Sequence, residues 1–271
     1  MERALGLMCG AGALPALVAE RARRQGWRLV AFAFDGAPDL GGRAAQVWPA
    51  QLTDLGAVLA RLREAAVEAV VLCGRFSMPA VLRTPTAAAD PVARALEARA
   101  GSRVDARLAG AVIGTLATLG IEVLDQRRFL GDLLARPGRL AGREPTEPEW
   151  RDVRRGLEVA RLAAEARVGQ TVVVCRGAVT AVEAVEGTTE AIRRGTALGG
   201  PGAVIVKAVA RDHDYRFDTP LVGPDTVAAA AAGGAAVLAV EAGRVAVFEP
   251  EATARAAERA GLSLVGVDGG G

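Results

Sequence analysis

Apolar runs of strand length alternate with segments of helical periodicity along the first half of the chain. The predicted strands cover residues 4–9, 27–34, 69–73 and 120–125, and the predicted helices cover 14–25, 52–65, 91–100 and 105–119. Strands that alternate with helices are typical of a parallel sheet covered on both faces. The first half therefore predicts a Rossmann-like, doubly wound α/β domain.

The second half has a different order of elements. A helix at 147–167 is followed by a hairpin with strands at 171–176 and 179–185, and then by a helix capped by Thr188 or Thr189. A strand ending near 207 and a helix through 228–232 come next. The chain closes with a second hairpin, whose strands cover 235–241 and 244–248, a helix at 250–260 and a strand at 262–267. This order predicts a mixed α/β domain. Residues 131–148 are rich in Pro, Gly and Arg, which indicates the domain connection. We therefore expect a first domain at 1–136 and a second at 137–271.

Composition excludes several classes of protein. Apolar residues make up 51% of the 271 residues, which permits a substantial core, and the net charge of +2 comes without a basic run, so no nucleic-acid partner is expected. The three cysteines lie far apart in apolar surroundings, as reduced core residues of a cytoplasmic protein do. No secretory signal and no run long enough to span a bilayer is evident.

Glycines follow two of the predicted strands in the first domain. Gly10 and Gly12 lie after the first strand and Gly74 after the third, where backbone N–H groups can approach a phosphate. Pro15 stands where the dinucleotide signature requires a third glycine, and Asp35 is the only candidate acid for a ribose. This weakens the hypothesis of a dinucleotide-dependent enzyme, and tight turns that need glycine for geometry alone are the other interpretation.

A dense group of charged residues follows the predicted strand that ends near 207. From Lys207 the chain reads KAVARDHDYRFDT, with two arginines, three aspartates and the only histidine. Arginines hold phosphate oxygens while a carboxylate positions water or metal, so the composition suits phosphate chemistry. The alternative is a solvated loop whose charges pair with one another.

Several segments, in their present order and spacing, resemble one family. They are GLMCGAGALP, LCGRFSMP, VGQTVVV, AVEAVEGTTEAIRR, and VKA followed by RFDTPLVG, and they span almost the whole chain. The family is the bacterial UDP-2,3-diacylglucosamine pyrophosphatases of the LpxI type. The EGT-x-x-x-I-R-R and R-x-D-x-P-x-x-G elements are its distinctive motifs here.

The resemblance implies an activity and a set of site residues. It implies cleavage of UDP-2,3-diacylglucosamine to UMP and 2,3-diacylglucosamine 1-phosphate (lipid X) in lipid A biosynthesis, with Mg²⁺ as cofactor and the lipid held between two domains. Asp218 is implied as the essential and metal-binding residue, with Lys207 and Arg216 as further catalytic residues. The implied substrate-binding residues are Gly10, Gly12, Gly74, Gln170, Glu186, Gly187, Thr188 and Arg211. A homodimer in the cytoplasm, in transient contact with the inner membrane that holds its lipid substrate, is also implied.

Two departures from the family pattern keep an alternative open. Ala210–His213 replaces a K-P-x-Q run, so that Arg211 would have to supply the missing lysine charge with a different geometry. Val104–Ala106 replaces the start of a Gly-Asp-Asp-Ala run. The alternative is a non-catalytic or divergent relative that binds a nucleotide or nucleotide-sugar without turning it over.

Overall fold

The computed structural model describes residues 3–83, 90–101 and 105–268, with 105 and 106 described at the level of the backbone. The chain divides into two compact units. The first unit contains Met1–Leu130 together with the separate segment Asp214–Thr219, and the second contains Gly131–His213 and Pro220–Gly271. Residue Val104, part of one predicted departure from the family pattern, lies outside the described residues.

The first unit is built on a parallel five-stranded sheet. Its strands are β1 (Ala4–Cys9), β2 (Arg28–Ala33), β3 (Gln46–Pro49), β4 (Ala69–Cys73) and β5 (Glu122–Val123). They are arranged in the order β3-β2-β1-β4-β5, which is that of the doubly wound nucleotide-binding folds. The Rossmann-like prediction is therefore confirmed for this unit. Strand β3, largely exposed at the edge of the sheet, was not predicted.

Helices pack around this sheet. They are α1 (Leu14–Arg24), α2 (Leu55–Glu64), α3 (Met78–Arg83), α4 (Pro91–Ala100), α5 (Asp105–Thr118) and α6 (Arg127–Leu130). Helix α2 begins three residues later than predicted, because the Asp54 carboxylate accepts a hydrogen bond from the Ala57 N–H and caps the helix. Phe32 and Leu62 are among the fully buried side chains of this core.

The second unit contains a mixed six-stranded sheet and a separate parallel pair. The sheet strands are β6 (Gly138–Ala141), β7 (Thr171–Cys175), β8 (Ala178–Val182), β9 (Val204–Lys207), β11 (Val237–Glu241) and β13 (Ser263–Val267), and the pair is β10 (Leu221–Val222) with β12 (Ala246–Val247). The sheet order is β6-β13-β11-β9-β7-β8. Strands β9, β11 and β13 pair in parallel, whereas the pairs β6–β13, β7–β9 and β7–β8 are antiparallel. The mixed α/β prediction is confirmed.

Helices of the second unit pack against the sheet and around the parallel pair. They are α7 (Glu147–Glu165), α8 (Thr188–Gly199), α9 (Pro224–Ala232) and α10 (Pro250–Arg259), with a 3₁₀ turn at Gly131–Leu133. Helix α7 begins with a capping box in which Glu149 accepts from the Thr146 N–H at 2.7 Å.

Two local predictions in this unit were wrong. The predicted hairpin at 235–248 does not form, because β11 pairs in parallel with β9 and β13 while β12 pairs in parallel with β10. Neither Thr188 nor Thr189 caps α8; Gly187 does, with a φ of 84° that favours glycine. The segment predicted as the domain connection, residues 131–148, begins at the first residue of the second unit and contributes β6 to its sheet.

Candidate active site

Two glycines hold together the loops that follow β1 and β4. The Gly10 N–H donates to the Cys73 carbonyl at 2.8 Å, and Ala11 and Arg75 exchange two backbone hydrogen bonds of 2.9 Å. A Cβ on Gly10 would lie 2.5 Å from the Arg75 oxygen, and one on Gly74 would lie 2.7 Å from the Gly10 oxygen. Gly10 and Gly74, both predicted to bind substrate, therefore close these loops against each other through close backbone contacts.

Gly12 differs from the other two predicted glycines. It is exposed, its φ is +97°, and no atom outside its immediate neighbours lies within 4 Å of a Cβ built on it. Its backbone is therefore open to approach at the point where the chain leads into α1.

Two Asp-x-Arg turns with the same hydrogen bonds lie in the first unit. In each, the aspartate carboxylate accepts from the backbone N–H and the guanidinium of the arginine two residues later: Asp125 from Arg127, and Asp214 from Arg216. The Arg127 guanidinium lies 4.0 Å from the centre of the Tyr215 ring, and the Gln126 N–H donates to the Tyr215 carbonyl at 3.0 Å. The segment Asp214–Thr219 is thereby fixed to the first unit.

Charge pairing in these turns alters proton affinities. Burial raises the pKa of Asp125, but the hydrogen bonds and the charge of Arg127 outweigh this and lower the pKa overall. The hydrogen-bonded Asp214 carboxylate raises the pKa of Arg216. Both arginines therefore carry a fixed positive charge, and the Nη1 group of Arg216 is not used by Asp214.

Asp218, the predicted essential carboxylate, lies half-buried in the same segment. Its backbone N–H donates to the Asp214 carbonyl at 3.4 Å. Two buried oxygen atoms of the first unit, Thr219 Oγ1 next to it in the chain and Gln126 Oε1, have no hydrogen-bond partner among the described residues.

A resident metal cage is absent from the part of the chain that the structure describes, where no three His, Cys, Asp or Glu side chains group in a way suited to a metal. Mg²⁺, however, is commonly held by one or two carboxylates plus substrate phosphates and water. Asp218 supplies one such carboxylate, and Thr219, which follows it in the chain, supplies a buried oxygen with no partner among the described residues, so the donor types here are compatible with an ion of that kind.

Two predicted site residues of the second unit, Lys207 and Thr188, lie together in a buried cluster. Lys207 is 5% exposed at the end of β9, opposite Thr171 of β7. Its Nζ donates to Thr188 Oγ1 at 2.9 Å and to Thr171 Oγ1 at 3.3 Å, and lies 3.9 Å from Glu183 Oε2. Lys207 and Thr188, which are 19 positions apart in the sequence, are thus in direct contact.

Glu183 was missed by the sequence analysis. It immediately follows β8, and its side chain is 12% exposed. Burial raises its pKa, but the charge of Lys207 and hydrogen bonds from Thr171, Thr188 and the Gln170 N–H outweigh this and lower the pKa overall. The signal was available, since an acidic residue interrupts the apolar run AVTAVEAV.

Gly169 and Gln170 meet Glu183 through the backbone. A Cβ on Gly169 would lie 2.0 Å from the Glu183 carbonyl oxygen, so only glycine fits there. The Gln170 N–H donates to Glu183 Oε2 at 3.3 Å, while the Gln170 carbonyl accepts from the Ala208 N–H at 2.9 Å. The backbone of Gln170 therefore joins Glu183 to the residue that follows Lys207.

The EGT-x-x-x-I-R-R motif stabilises its own turn. Glu186 Oε1 accepts from Arg194 Nη2 at 2.7 Å, and the same guanidinium nitrogen donates to the Val182 carbonyl at 3.0 Å. Burial raises the pKa of Glu186, but the bond from Arg194 contributes to a net lowering. Glu186 thus fixes the chain just before Gly187 caps α8.

The segment Ala210–His213, which differs from the family pattern, is held in place by side chains of its own unit. Buried Glu241 accepts from the Val209 N–H at 3.0 Å and from Arg161 at 2.8 Å, and Arg167 pairs with Asp212 at 2.6 Å. Arg211 has a side chain that is 88% exposed, 3.8 Å from Glu165. The loop has a defined course, and Arg211 lies on its solvent side.

These observations define a two-unit α/β protein with a doubly wound parallel sheet in one unit and a mixed sheet in the other. The chain belongs to the LpxI family. The model of the LpxI N-terminal domain matches residues 4–133, and that of the LpxI C-terminal domain matches residues 136–265.

A curated relative extends over nearly the full length. The chain is 32% identical over 290 residues to the UDP-2,3-diacylglucosamine pyrophosphatase LpxI of Caulobacter vibrioides, covering 98% of each protein. Among solved structures, a biotin carboxylase–beta-gamma-ATP complex from Campylobacter jejuni aligns at 11% identity, covering 72% of this chain and 41% of that one, with a TM-score of 0.29. A similarity this low carries no argument about fold or function.

Proposed function

We propose that this protein hydrolyses the pyrophosphate bond of UDP-2,3-diacylglucosamine to UMP and 2,3-diacylglucosamine 1-phosphate, a step of lipid A biosynthesis. The observation that carries the proposal is the match of both family domains together with a pyrophosphatase relative over 98% of the chain. The protein is a hydrolase that acts on a phosphoanhydride.

The described side chains have the chemistry that this reaction needs. The oxygen of water bonds to one phosphorus, the bridging oxygen leaves with the other phosphate, and the two protons of the water pass to the phosphate products or to the solvent. Asp218 orients the water, while Lys207 and Arg216 supply positive charge for the phosphate oxygens. Arg216 is held by Asp214 through Nε and Nη2, so its orientation is set before the ligand binds.

Mg²⁺ is part of the proposal, with Asp218 as its protein ligand. When bound, the ion neutralises charge on the diphosphate oxygens. Gly12, Gly187 and Thr188 are the proposed substrate contacts through backbone groups at turns and helix starts, and Gln170 is the proposed contact through its side-chain amide. Gly10, Gly74 and Glu186 act by shaping those turns, and Arg211 supplies positive charge at the surface.

A homodimer and transient contact with the inner membrane complete the proposal, since the substrate is a membrane lipid. Among the described helices, none combines the length and the hydropathy of a membrane-spanning segment. Sedimentation velocity tests the dimer, and co-flotation with vesicles containing the substrate tests the contact. A monomer, or a protein that stays at the bottom of the gradient, would remove that part of the proposal.

The activity is tested by UMP release from UDP-2,3-diacylglucosamine with Mg²⁺. We expect Asp218→Asn to lose activity by a factor of about 100 or more with its circular dichroism unchanged. Asp225→Asn, an exposed aspartate in the first turn of α9, is the matched control and should keep wild-type activity. Hydrolysis in oxygen-18 water identifies the attacked phosphorus from the labelled product. Binding of UDP-sugar without turnover under any metal would instead support the non-catalytic alternative.

A further inference from the structure

The strongest unassigned feature is the buried contact between Glu183 and Lys207. The two side chains are 12% and 7% exposed, respectively, and their charged atoms lie 3.9 Å apart. Charges this deeply buried are costly unless paired and hydrogen-bonded, so the arrangement calls for a reason beyond packing.

Two threonine hydroxyl groups link the Lys207 ammonium to the Glu183 carboxylate through hydrogen bonds. Thr188 Oγ1 accepts from Lys207 Nζ at 2.9 Å and donates to Glu183 Oε1 at 2.9 Å. Thr171 Oγ1 accepts from Lys207 at 3.3 Å and also hydrogen-bonds to Glu183. An ammonium can only donate and a carboxylate can only accept, so the Thr188 hydroxyl proton points towards Glu183, while Thr171 Oγ1 also donates to Thr188 Oγ1 at 3.5 Å.

The carboxylate is itself fixed by the backbone. Its Oε2 accepts from the Gln170 N–H at 3.3 Å, and the Glu183 N–H donates to the Thr171 carbonyl at 2.8 Å. Thr171 begins β7 and Thr188 begins α8, so two elements converge on the ammonium at the end of β9. The ammonium donates two of its three protons to these hydroxyl oxygens, and no hydrogen bond to a described residue uses the third.

We propose that Glu183 is a positioning residue for Lys207. It compensates the buried ammonium charge and, through Thr171 and Thr188, holds Nζ in one orientation, ready for the negative charge of the diphosphate. A donor oriented before the reaction needs no reorganisation when charge develops. The inference rests on the proposed function, because it is there that Lys207 acts on the phosphate.

A double-mutant cycle tests this role. Glu183→Gln and Lys207→Met should each lower kcat by about 100-fold while KM changes by less than about three-fold, because the interaction is needed mainly in the transition state. If Glu183 acts only through Lys207, the E183Q/K207M variant should be no less active than K207M.

Stability provides an independent readout of the same cycle. E183Q alone leaves a buried cation without its counter-charge, so its unfolding temperature should fall below that of E183Q/K207M, which lacks both charges. Glu149→Gln is the matched control, because it breaks the ion pair between Arg143 and the first turn of α7, which includes none of the residues of the Glu183–Lys207 contact. That variant should lose stability and keep wild-type kcat and KM.

Specific outcomes would overturn the inference. Losses of activity that multiply in the double variant, or an E183Q variant with wild-type kcat, would show that Glu183 does not act through Lys207. If E183Q fails to fold, the comparison of E183Q/K207M with K207M still decides, since any lower activity of the double variant contradicts the proposal. An inactive wild-type protein would refute the proposed function instead.

Discussion

Gly169→Ala should damage the second unit through one backbone contact. The added Cβ would lie 2.0 Å from the Glu183 carbonyl oxygen and 2.6 Å from its carbon, whereas real Cβ contacts are essentially never under 3.0 Å. The two chain segments must therefore separate by about 1 Å. This shift strains the 2.8 Å bond from the Glu183 N–H to Thr171 and displaces the carboxylate that faces Lys207.

The expected cost follows from these contacts. Overpacking against backbone costs about 1–3 kcal/mol, and one weakened backbone hydrogen bond adds about 1 kcal/mol. Gly169→Ala should thus lower the free energy of unfolding by about 2–4 kcal/mol in urea titrations followed by circular dichroism, and it should also reduce kcat. Gly131→Ala is the matched control, because it makes the same chemical change in the same unit with no atom within 4 Å. A Gly169→Ala protein within about 0.5 kcal/mol of that control would refute the steric argument.

Two further predictions concern titratable groups. The Arg143 guanidinium, together with hydrogen bonds from Thr146, lowers the pKa of Glu149 from 4.5 to about 2. The stabilisation of the folded state by the ionised Glu149 is therefore complete above pH 4.5 and is lost as the pH falls towards 2. In urea titrations at about pH 6, the wild-type protein should therefore be more stable than Glu149→Gln by about 1 kcal/mol, because Arg143 is half-exposed and its charge is screened. This difference in the free energy of unfolding should shrink towards about pH 2, and a difference that stays constant with pH would contradict the prediction. Burial, with a contribution from Cys9, raises the pKa of the Cys73 thiol, and Cys9, Cys73 and Cys175 are all buried. A colorimetric disulfide reagent should react with these three cysteines only after unfolding. Rapid reaction of the native protein would show that their thiols are accessible and not buried.

The local pattern of apolar residues predicted helices and strands well where the buried side chains follow the period of the element. Helix α7 and strands β1 and β4 were found within a few residues, since each has a continuous apolar face or is apolar throughout. Strands β3 and β6 were missed because both are short, partly exposed edge strands of their sheets. Their pairing partners, not their own composition, make them strands.

The false hairpin at 235–248 has a related cause. Two apolar runs around Ala242-Gly243 resemble a hairpin locally, yet the first is a central strand between β9 and β13 and the second pairs with β10. Strand partners are chosen by packing across the whole unit, and a local pattern of apolar residues contains no information about them.

The sequence by itself determined the two α/β units and the residue types of the site, because hydrophobic periodicity and motif spacing are local properties. Only the tertiary structure decided how those residues are grouped. It placed Glu183 against Lys207, because the β7–β9 register sets Thr171 opposite Lys207 and the Glu183 N–H donates to the Thr171 carbonyl. It also divided the stretch from Lys207 to Thr219 so that Asp214–Thr219 belongs to the first unit. The physical reason is the set of long-range contacts made by Tyr215 with Gln126 and Arg127, which act between residues almost ninety positions apart.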